Sequence, residues 1–289
     1  MGIVNALTVD VEDYFQVSNM ESVVDRSSWK SYSLRVVPNT RKILSILEEF
    51  GVKGTFFVLG WVAEEVPELV EEIAKGGHEI ACHGYDHQLV YRQGCHSFRE
   101  DVLKARRIIE GITSVPLFGY RAPNFSITEG SRWALDILVE EGFLYDSSTL
   151  CTEPQDGNPS IYKIKTNGTG SIIEFPISTV NLAGKPIVPT GGGYLRLFPL
   201  GIMKWAISGL NEKGYPAMVY LHPWELDPQQ PRLPVGGLRR FRHYVNLSST
   251  EEKLKGLLEE FDFSTASSVI ERTMKKGLPP LKKGADNLT

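Results

Sequence analysis

The sequence has few cysteines, no long hydrophobic run and no excess of positive charge. Its 289 residues include only Cys82, Cys95 and Cys151, which are too few and too scattered for a disulfide framework. No apolar stretch approaches the roughly 18–20 residues that a membrane-spanning helix needs. The formal net charge of −4 gives no indication of a nucleic-acid partner. Disulfide-rich, membrane-spanning and nucleic-acid-binding proteins are therefore not predicted.

The N-terminal segment also lacks the features of a secretory signal peptide. No basic segment precedes a long apolar one, because Asp10, Glu12 and Asp13 interrupt the first apolar run. Together with the absence of a disulfide pattern, this predicts a cytoplasmic protein. A chain trimmed of its leader would look the same.

What the sequence does contain is a repeated succession of apolar strand, polar or ionisable cluster, and amphipathic helix. Such alternation is typical of parallel strands joined by crossover helices. It predicts an α/β barrel, in which chemistry is carried at the carboxyl ends of the strands. Two segments give no regular element: a flexible loop is predicted at the glycines 191–193, and residues 227–247 show no pattern.

The first predicted strand, residues 3–9, runs directly into three carboxylates, Asp10, Glu12 and Asp13. Carboxylates at the end of a buried strand are costly unless they are paired or bind a cation. An acidic turn at the surface is the alternative interpretation. The abrupt change from strand to acids favours a functional site.

Two imidazoles, His83 and His87, follow another apolar run. On a helical turn, residues four apart lie on one face, so both rings could reach one point. A divalent ion such as zinc accepts two imidazoles and commonly a carboxylate as a third ligand. The spacing alone fits equally well with two half-buried or solvated histidines on a loop.

Three further ionisable residues follow predicted strands: Arg121, Asp146 and His222. A single histidine at the end of a buried strand is usually a core residue. The position of His222 relative to the other strand ends favours a functional role, because the ends of parallel strands meet at one edge.

Taken in order, these motifs resemble those of the polysaccharide deacetylases with NodB homology (carbohydrate esterase family 4). The family's T-F-D-D-G, H-[ST]-x-x-H, R-x-P and L-x-H motifs correspond here to residues 8–13, 83–87, 121–123 and 221–222. Within the family, the chain is most similar to a branch from bacterial exopolysaccharide gene clusters, on the basis of residues 10–15, 191–196 and 241–244.

The resemblance implies a distorted (β/α) barrel of the NodB-homology type with seven parallel strands. It implies one NodB-like domain over residues 1–289, with a family-specific C-terminal extension at about 227–289. The implied activity is metal-dependent removal of N-acetyl groups from amino sugars of a poly- or oligosaccharide. The implied cofactor is a divalent metal, with Zn²⁺ expected, and the implied partner is the N-acetylated saccharide.

The resemblance also implies roles for the strand-end residues. Asp10 would be the general base and His222 the general acid, with Arg121 orienting Asp10 and Asp146 orienting His222. His83 and His87 would bind the metal together with either Glu12 or Asp13. That choice stays open because the family's adjacent Asp pair is spread out here. A second departure is Gly84, which stands where the family has Ser or Thr.

Substrate contacts are expected from Pro123 and Asn124, since the family places an oxyanion-binding backbone N–H just after this proline. Trp61, Tyr194 and Trp224 are candidate sugar-stacking platforms, with plain core packing as the alternative for each. Two other functions stay open: a metal-independent amidohydrolase acting on a small cyclic amide, and a catalytically silent carbohydrate-binding protein.

Overall fold

The computed structural model describes residues 2–149, 161–168, 170–182 and 184–275. Cys151 lies outside these residues. The described strands are β1 (Asn5–Val11), β2 (Thr55–Val58), β3 (Glu79–Cys82), β4 (Gly119–Tyr120), β5 (Tyr145–Asp146), β6 (Tyr162–Lys165), β7 (Ser171–Glu174), β8 (Val180–Leu182), β9 (Lys185–Ile187), β10 (Met218–Leu221) and β11 (Phe263–Ser264).

A curled sheet of parallel strands forms the centre of the molecule. Its order is β10-β1-β2-β3-β4-β5-β7, and every neighbouring pair in this series is parallel. Within the described residues the series therefore contains the seven parallel strands that were predicted. Strand β6 adds an antiparallel edge to β7, β11 pairs in parallel with β1, and β8 and β9 form a separate hairpin.

Helices flank this sheet in the crossover arrangement that the alternation predicts. They are α1 (Val36–Glu49), α2 (Gly60–Glu65), α3 (Pro67–Lys75), α4 (Cys95–Thr113), α5 (Trp133–Glu140), α6 (Gly192–Leu197), α7 (Leu200–Glu212), α8 (Gly237–Tyr244), α9 (Thr250–Leu258) and α10 (Ala266–Lys275). None of the helices in the described part of the chain is long and apolar enough to cross a bilayer.

Two segments differ from the sequence-based expectation. Helix α6 begins inside the glycine run, where a flexible loop was predicted. Helix α8 lies in the Arg-rich stretch for which no element was predicted. Helix α8 is short and rich in arginine, and its apolar residues Leu238 and Phe241 are exposed rather than packed in the core, so the stretch does not read as an ordinary core-facing helix.

Strand β1 shows why the position of the acidic residues at its carboxyl end could be predicted from the sequence. All seven of its residues are buried because it lies between β10 and β2 in the sheet. A strand that is covered on both faces reads as a continuous apolar run rather than an alternating one. Its carboxyl end carries Asp10, and Glu12 and Asp13 follow directly, so three acids enter the interior together.

Candidate active site

The carboxyl ends of the central strands border a cavity of about 500 Å³. Predicted site residues from distant parts of the sequence line it together: Asp10, Glu12, His83, His87, Asn124, Tyr194, His222 and Trp224. The cavity is of the size that small-molecule sites usually have. It is therefore the candidate active site.

Glu12, His83 and His87 form a buried cluster in this cavity, and their ligand atoms all lie within 4.8 Å of one another. The Nδ1 of His83 lies 2.7 Å from the carbonyl oxygen of Arg121. A carbonyl can only accept, so Nδ1 carries the proton and the Nε2 lone pair stays available. The Nε2 of His87 lies 2.9 Å from Glu12 Oε2, which receives no hydrogen bond from the described residues. Two imidazoles and a carboxylate fit a zinc-type metal site.

The charges of this cluster suit metal binding. Burial lowers the pKa of His83 to about 4, so its ring is neutral at neutral pH and can ligate. Burial alone would raise the pKa of Glu12, but the neighbouring His87, His222 and His83 outweigh it and lower that pKa to about 2. Glu12 is therefore an ionised, buried carboxylate, and its Oε2 accepts no hydrogen bond from the described residues.

The loop between the two histidines is not the helical turn that their spacing suggested. Both Gly84 and His87 have left-handed backbone conformations, with φ of +74° and +58°. A Cβ at position 84 would stand 2.7 Å from Asp101 Oδ2, which accepts a hydrogen bond from the Tyr85 N–H. Gly84 thus replaces the family's Ser or Thr because this turn has no room for a side chain.

Arg26 supports the same loop from outside. It lies in a 3-10 helix (Arg26–Ser31) and donates to the carbonyl oxygens of Asp86 at 2.9 Å and His87 at 3.1 Å. These two bonds fix the backbone next to the His87 side chain of the cluster. No sequence signal pointed to Arg26, since it is remote from every motif.

Asp13 is not a metal ligand, so that alternative is wrong. Its Oδ1 accepts the Tyr14 N–H at 2.8 Å, and its Oδ2 accepts the N–H groups of Arg35 at 2.6 Å and Val36 at 2.8 Å. The last two groups stand at the start of α1, where backbone N–H groups lack helical partners. Burial raises the pKa of Asp13 to about 6, while these donors act in the opposite direction. Asp13 is a helix cap, and Glu12 carries the carboxylate of the cluster.

Asp10 lies beside the cluster and pairs with a fully buried arginine. Arg121 Nη1 is 2.6 Å from Asp10 Oδ1 and 2.9 Å from Thr8 Oγ1, and Nη2 donates to Ser147 Oγ at 3.0 Å. The guanidinium also covers the ring of Phe57 at 4.0 Å. Asp10 Oδ2 remains directed to the cavity, 3.8 Å from His222 Nε2.

The orienting partner of His222 is Glu225, so the assignment of that role to Asp146 is wrong. Glu225 Oε2 lies 2.9 Å from His222 Nδ1 and also accepts the His222 backbone N–H at 2.9 Å. Its other oxygen accepts from Arg196 Nε at 2.7 Å. Burial would lower the pKa of His222, but Glu225, Glu12 and Asp10 raise it to about 9. Glu225 follows His222 by three residues, a spacing that could have suggested it.

Asp146 instead forms a carboxyl pair with Glu174, its register neighbour on β7. Asp146 Oδ1 accepts a hydrogen bond from the Ser148 hydroxyl at 2.6 Å. The Ser148 Oγ in turn accepts the Ala122 N–H at 2.8 Å. Burial raises the pKa of Asp146 to about 6, and burial with the Asp146 charge raises the pKa of Glu174 well above its usual range. The pair supports the turn after β4 and does not reach His222.

The residues after Arg121 make a strained turn at the cavity wall. Asn124 and Phe125 both line the cavity and both have left-handed backbone, with φ of +52° and +53°. Such conformations are uncommon for residues other than glycine and are frequent at functional sites. Pro123 is buried and begins this turn, but it does not line the cavity.

The three aromatic candidates have different positions. Tyr194 is 44% exposed and faces the cavity, with its ring stacked on Phe198. Trp224 is a buried wall, stacked between the rings of His222 and His243. Trp61 packs against Phe15 and Trp29 in the core, so the prediction of a stacking platform is wrong for Trp61.

The fold and the cavity define a class: an α/β barrel with a His₂–carboxylate cluster and further ionisable residues at the carboxyl ends of its parallel strands. Family models give a finer answer. Residues 28–138 match the polysaccharide deacetylase family, and residues 150–271 match a domain of unknown function, DUF3473. The first match covers the part of the chain that contains His83, His87 and Arg121, and it agrees with the resemblance that the motifs indicate.

Curated proteins that are named as deacetylases also have sequences similar to this chain. The chain is 34% identical over 158 residues to a peptidoglycan-N-acetylglucosamine deacetylase of Bacillus cereus, covering 54% of this chain and 53% of that protein. It is 36% identical over 70 residues to a chitooligosaccharide deacetylase of Sinorhizobium fredii, covering 24% of this chain and 33% of that protein. The chain thus spans about half the length, or less, of these curated relatives.

Solved structures share the fold over nearly the whole chain. A Mycobacterium smegmatis protein assigned to the polysaccharide deacetylases has a TM-score of 0.69 at 22% identity, covering 99% of this chain and 95% of that one. The allantoinase PuuE has a TM-score of 0.65 at 16% identity, covering 96% and 92%. At such identities the likeness shows the fold alone, because one barrel hosts many chemistries.

Proposed function

We propose that this protein is a metal-dependent hydrolase that removes N-acetyl groups from amino sugars of a poly- or oligosaccharide. The observation that carries the proposal is the buried Glu12–His83–His87 cluster beside Asp10 and His222 in one cavity. The family and the relatives named as deacetylases support the same reaction class.

Glu12, His83 and His87 would hold the metal, and their donor set favours Zn²⁺. When bound, such an ion polarises the acetyl carbonyl and lowers the pKa of a bound water. Asp10 would accept the proton from the attacking water through Oδ2, which faces the cavity. Arg121 holds the other oxygen at 2.6 Å and so keeps Asp10 oriented.

His222 would donate a proton from Nε2 to the departing amine, which cannot leave as an anion. Its Nε2 faces Asp10 and Glu12, at 3.8 and 3.4 Å, so it points into the reaction space. Glu225 accepts from the opposite ring nitrogen and thereby fixes the ring orientation. Arg196 in turn fixes Glu225, which leaves Asp146 no part in this step.

The oxyanion of the tetrahedral intermediate needs a fixed donor close to the reacting carbonyl. We assign this role to the backbone N–H of Asn124, whose left-handed conformation turns the peptide at the cavity wall. Tyr194 and the Trp224 wall would contact the sugar.

We also propose that residues 1–289 form one NodB-like domain, since β1–β5, β7 and β10 share one sheet. The extension at about 227–289 then contributes α8 to the cavity.

The test is acetate release from N-acetylglucosamine oligomers by zinc-loaded protein, with and without a chelator, together with elemental analysis. We expect release to stop on chelation. Asp10→Asn should reduce turnover by at least about 100-fold with normal zinc content, whereas His83→Ala should lose both zinc and activity. Glu129→Gln, at an exposed position outside the cavity, is the control. Chelator-resistant release would favour a metal-independent amidohydrolase, and saccharide binding without release a silent binding protein.

A further inference from the structure

We propose that α8 is part of the saccharide cleft and selects glycans that carry a negative charge next to the N-acetylated sugar. This inference rests on the proposed function, because it names the substrate class of the same cavity. Its first support is position. Leu238, Phe241 and Arg242 of α8 line the cavity that also contains Asp10 and His222.

The exposed apolar residues at this cavity are suited to sugar rings. Leu238 is 61% exposed and Phe241 is 52% exposed, and at a spacing of three they share one helix face. Tyr194, on α6, lines the same cavity. Large apolar side chains exposed together beside a cleft mark a binding surface. The C–H faces of pyranose rings are the matching chemistry for such aromatic side chains.

The charges of α8 identify what else the ligand must carry. Arg239, Arg240 and Arg242 are exposed, and none of them pairs with a carboxylate of the described residues. Elsewhere in the described residues most arginines pair with a carboxylate, among them Arg35, Arg121 and Arg196. A guanidinium presents two parallel N–H donors that fit a carboxylate, sulfate or phosphate group.

The cavity combines this positive edge with acidic residues. Asp10, Glu12 and Glu225 line it as well, but Asp10 pairs with Arg121, Glu225 pairs with Arg196, and Glu12 lies 2.9 Å from His87. Among the described residues, Arg242 is therefore the unpaired charge at the cavity that attracts an anionic sugar. A neutral N-acetyl group is not attracted to it. The charge pattern would therefore set the register of a mixed glycan, with its anionic sugar at α8 and its N-acetylated sugar at Asp10 and His222.

The C-terminal end of helix α8 is packed against the rest of the protein through His243. His243 is fully buried, stacks on Trp224 at 4.3 Å, and lies 2.8 Å from Gln230 Oε1 through its Nε2. Its carbonyl accepts from Arg196 Nη1 at 2.8 Å. The helix is thus attached to the group that orients His222. An anionic membrane surface could also attract exposed Arg, Leu and Phe residues, but a helix that lines a concave cavity fits a saccharide better.

The experiment compares two hexasaccharides: chitin hexasaccharide, which is neutral, and hyaluronan hexasaccharide, in which N-acetylglucosamine alternates with glucuronate. We expect wild-type protein to deacetylate the hyaluronan probe with a kcat/KM at least about tenfold higher, mainly through KM. The ratio should fall toward one in Arg242→Gln and as salt rises from about 0.05 to 0.5 M. The double variant Arg239→Gln/Arg240→Gln removes two charges from the same helix outside the cavity lining and should change the ratio less than Arg242→Gln. Arg107→Gln, exposed and outside the cavity, should keep the wild-type ratio.

Binding measured by calorimetry in the presence of chelator separates this inference from the proposed function. Acetate release from both probes with no preference and equal binding would overturn the inference and leave the deacetylase proposal standing. Arginine-dependent hyaluronan binding without acetate release from either probe would support the inference about α8 and overturn the deacetylase proposal. Arginine-dependent sedimentation with phosphatidylglycerol vesicles, without any preference between the saccharides, would identify a membrane surface instead and also overturn the inference.

Discussion

Adjacent carboxylates with opposite roles give the sharpest prediction. Glu12 belongs to the cluster that we propose to hold the metal and has an oxygen without a hydrogen bond from the described residues, whereas Asp13 accepts three backbone N–H groups. We therefore expect Glu12→Gln to abolish metal binding. We expect Asp13→Asn to destabilise the fold and to leave metal binding intact.

The magnitude for Asp13→Asn follows from its contacts. An Asn oxygen in the Oδ2 position keeps the bonds from Arg35 and Val36, but the amide then faces the Tyr14 N–H. One unsatisfied buried donor costs about 1–3 kcal/mol. At pH 8 the loss of the buried charge, whose pKa burial raises to about 6, offsets part of this cost. The expected net loss is therefore below about 3 kcal/mol. Glu12→Gln replaces a carboxylate whose pKa the neighbouring histidines lower to about 2, so the metal-free variant should also lose stability, by up to about 3 kcal/mol. The zinc increment, and not the stability without metal, therefore separates the two variants.

The assay is urea unfolding at pH 8, first with chelator and then with zinc. Zinc at 100 times its Kd should add about 2.7 kcal/mol to the free energy of unfolding of a binding-competent protein. Wild type and Asp13→Asn should both gain this increment, and Glu12→Gln should not. A zinc increment that survives in Glu12→Gln and disappears in Asp13→Asn would refute the assignment of the two carboxylates.

Three further predictions concern the residues around the cavity. Glu225→Gln should lower kcat about 10–100-fold with unchanged zinc content, because one amide oxygen cannot serve both donors; steady-state kinetics with elemental analysis checks this, and a wild-type rate would contradict it. Arg26→Ala should raise the zinc Kd about 10-fold by freeing the loop at His87, as measured by competition with a chromophoric chelator, while Arg26→Lys restores part of the loss. Gly84→Ser should destabilise the protein by about 1–3 kcal/mol in chemical unfolding, and a neutral result would remove our explanation of this departure from the family.

The convergence of the strand ends could be predicted because it depends on order and period alone. Parallel strands joined by helices place their carboxyl ends at one edge, so Asp10, His83, Arg121 and His222 had to be neighbours once the alternation was recognised. The choice between Glu12 and Asp13 could not be made in this way. It depends on α1 beginning next to Asp13, a contact with residues more than 20 positions away.

The wrong assignment of Asp146 and the failure to predict Glu225 have a similar origin. Asp146 ends a strand, as predicted, but its side chain meets Glu174 because β7 brings the latter into register beside it. Glu225 is close to His222 for a purely local reason, since a short 3-10 helix (Pro223–Leu226) turns the chain back. Strand-end position indicates which residues are near the site, but not which of them touch.

The Asp146–Glu174 pair makes the last prediction, a pH dependence of stability. An acid whose pKa is raised in the folded state binds more protons there than in the unfolded chain, so stability is lost as pH rises from its ordinary pKa through the raised one. For this pair the loss begins between pH 3.8 and pH 4.5, the ordinary pKa values of Asp146 and Glu174, and continues above pH 6, with a slope of up to about 1.4 kcal/mol per pH unit for each proton.

Glu174→Gln should remove this loss. The Gln oxygen can keep the bonds from the Thr149 N–H and Oγ1, while the amide donates to Asp146 without needing a shared proton. In urea unfolding with chelator at pH 5 and pH 8, the variant should match wild type at pH 5 and exceed it by about 1–3 kcal/mol at pH 8. Glu129→Gln should follow wild type at both values. If Glu174→Gln also follows wild type at both, the two carboxyls share no proton, and the support that they give to the turn at Ala122 has another source.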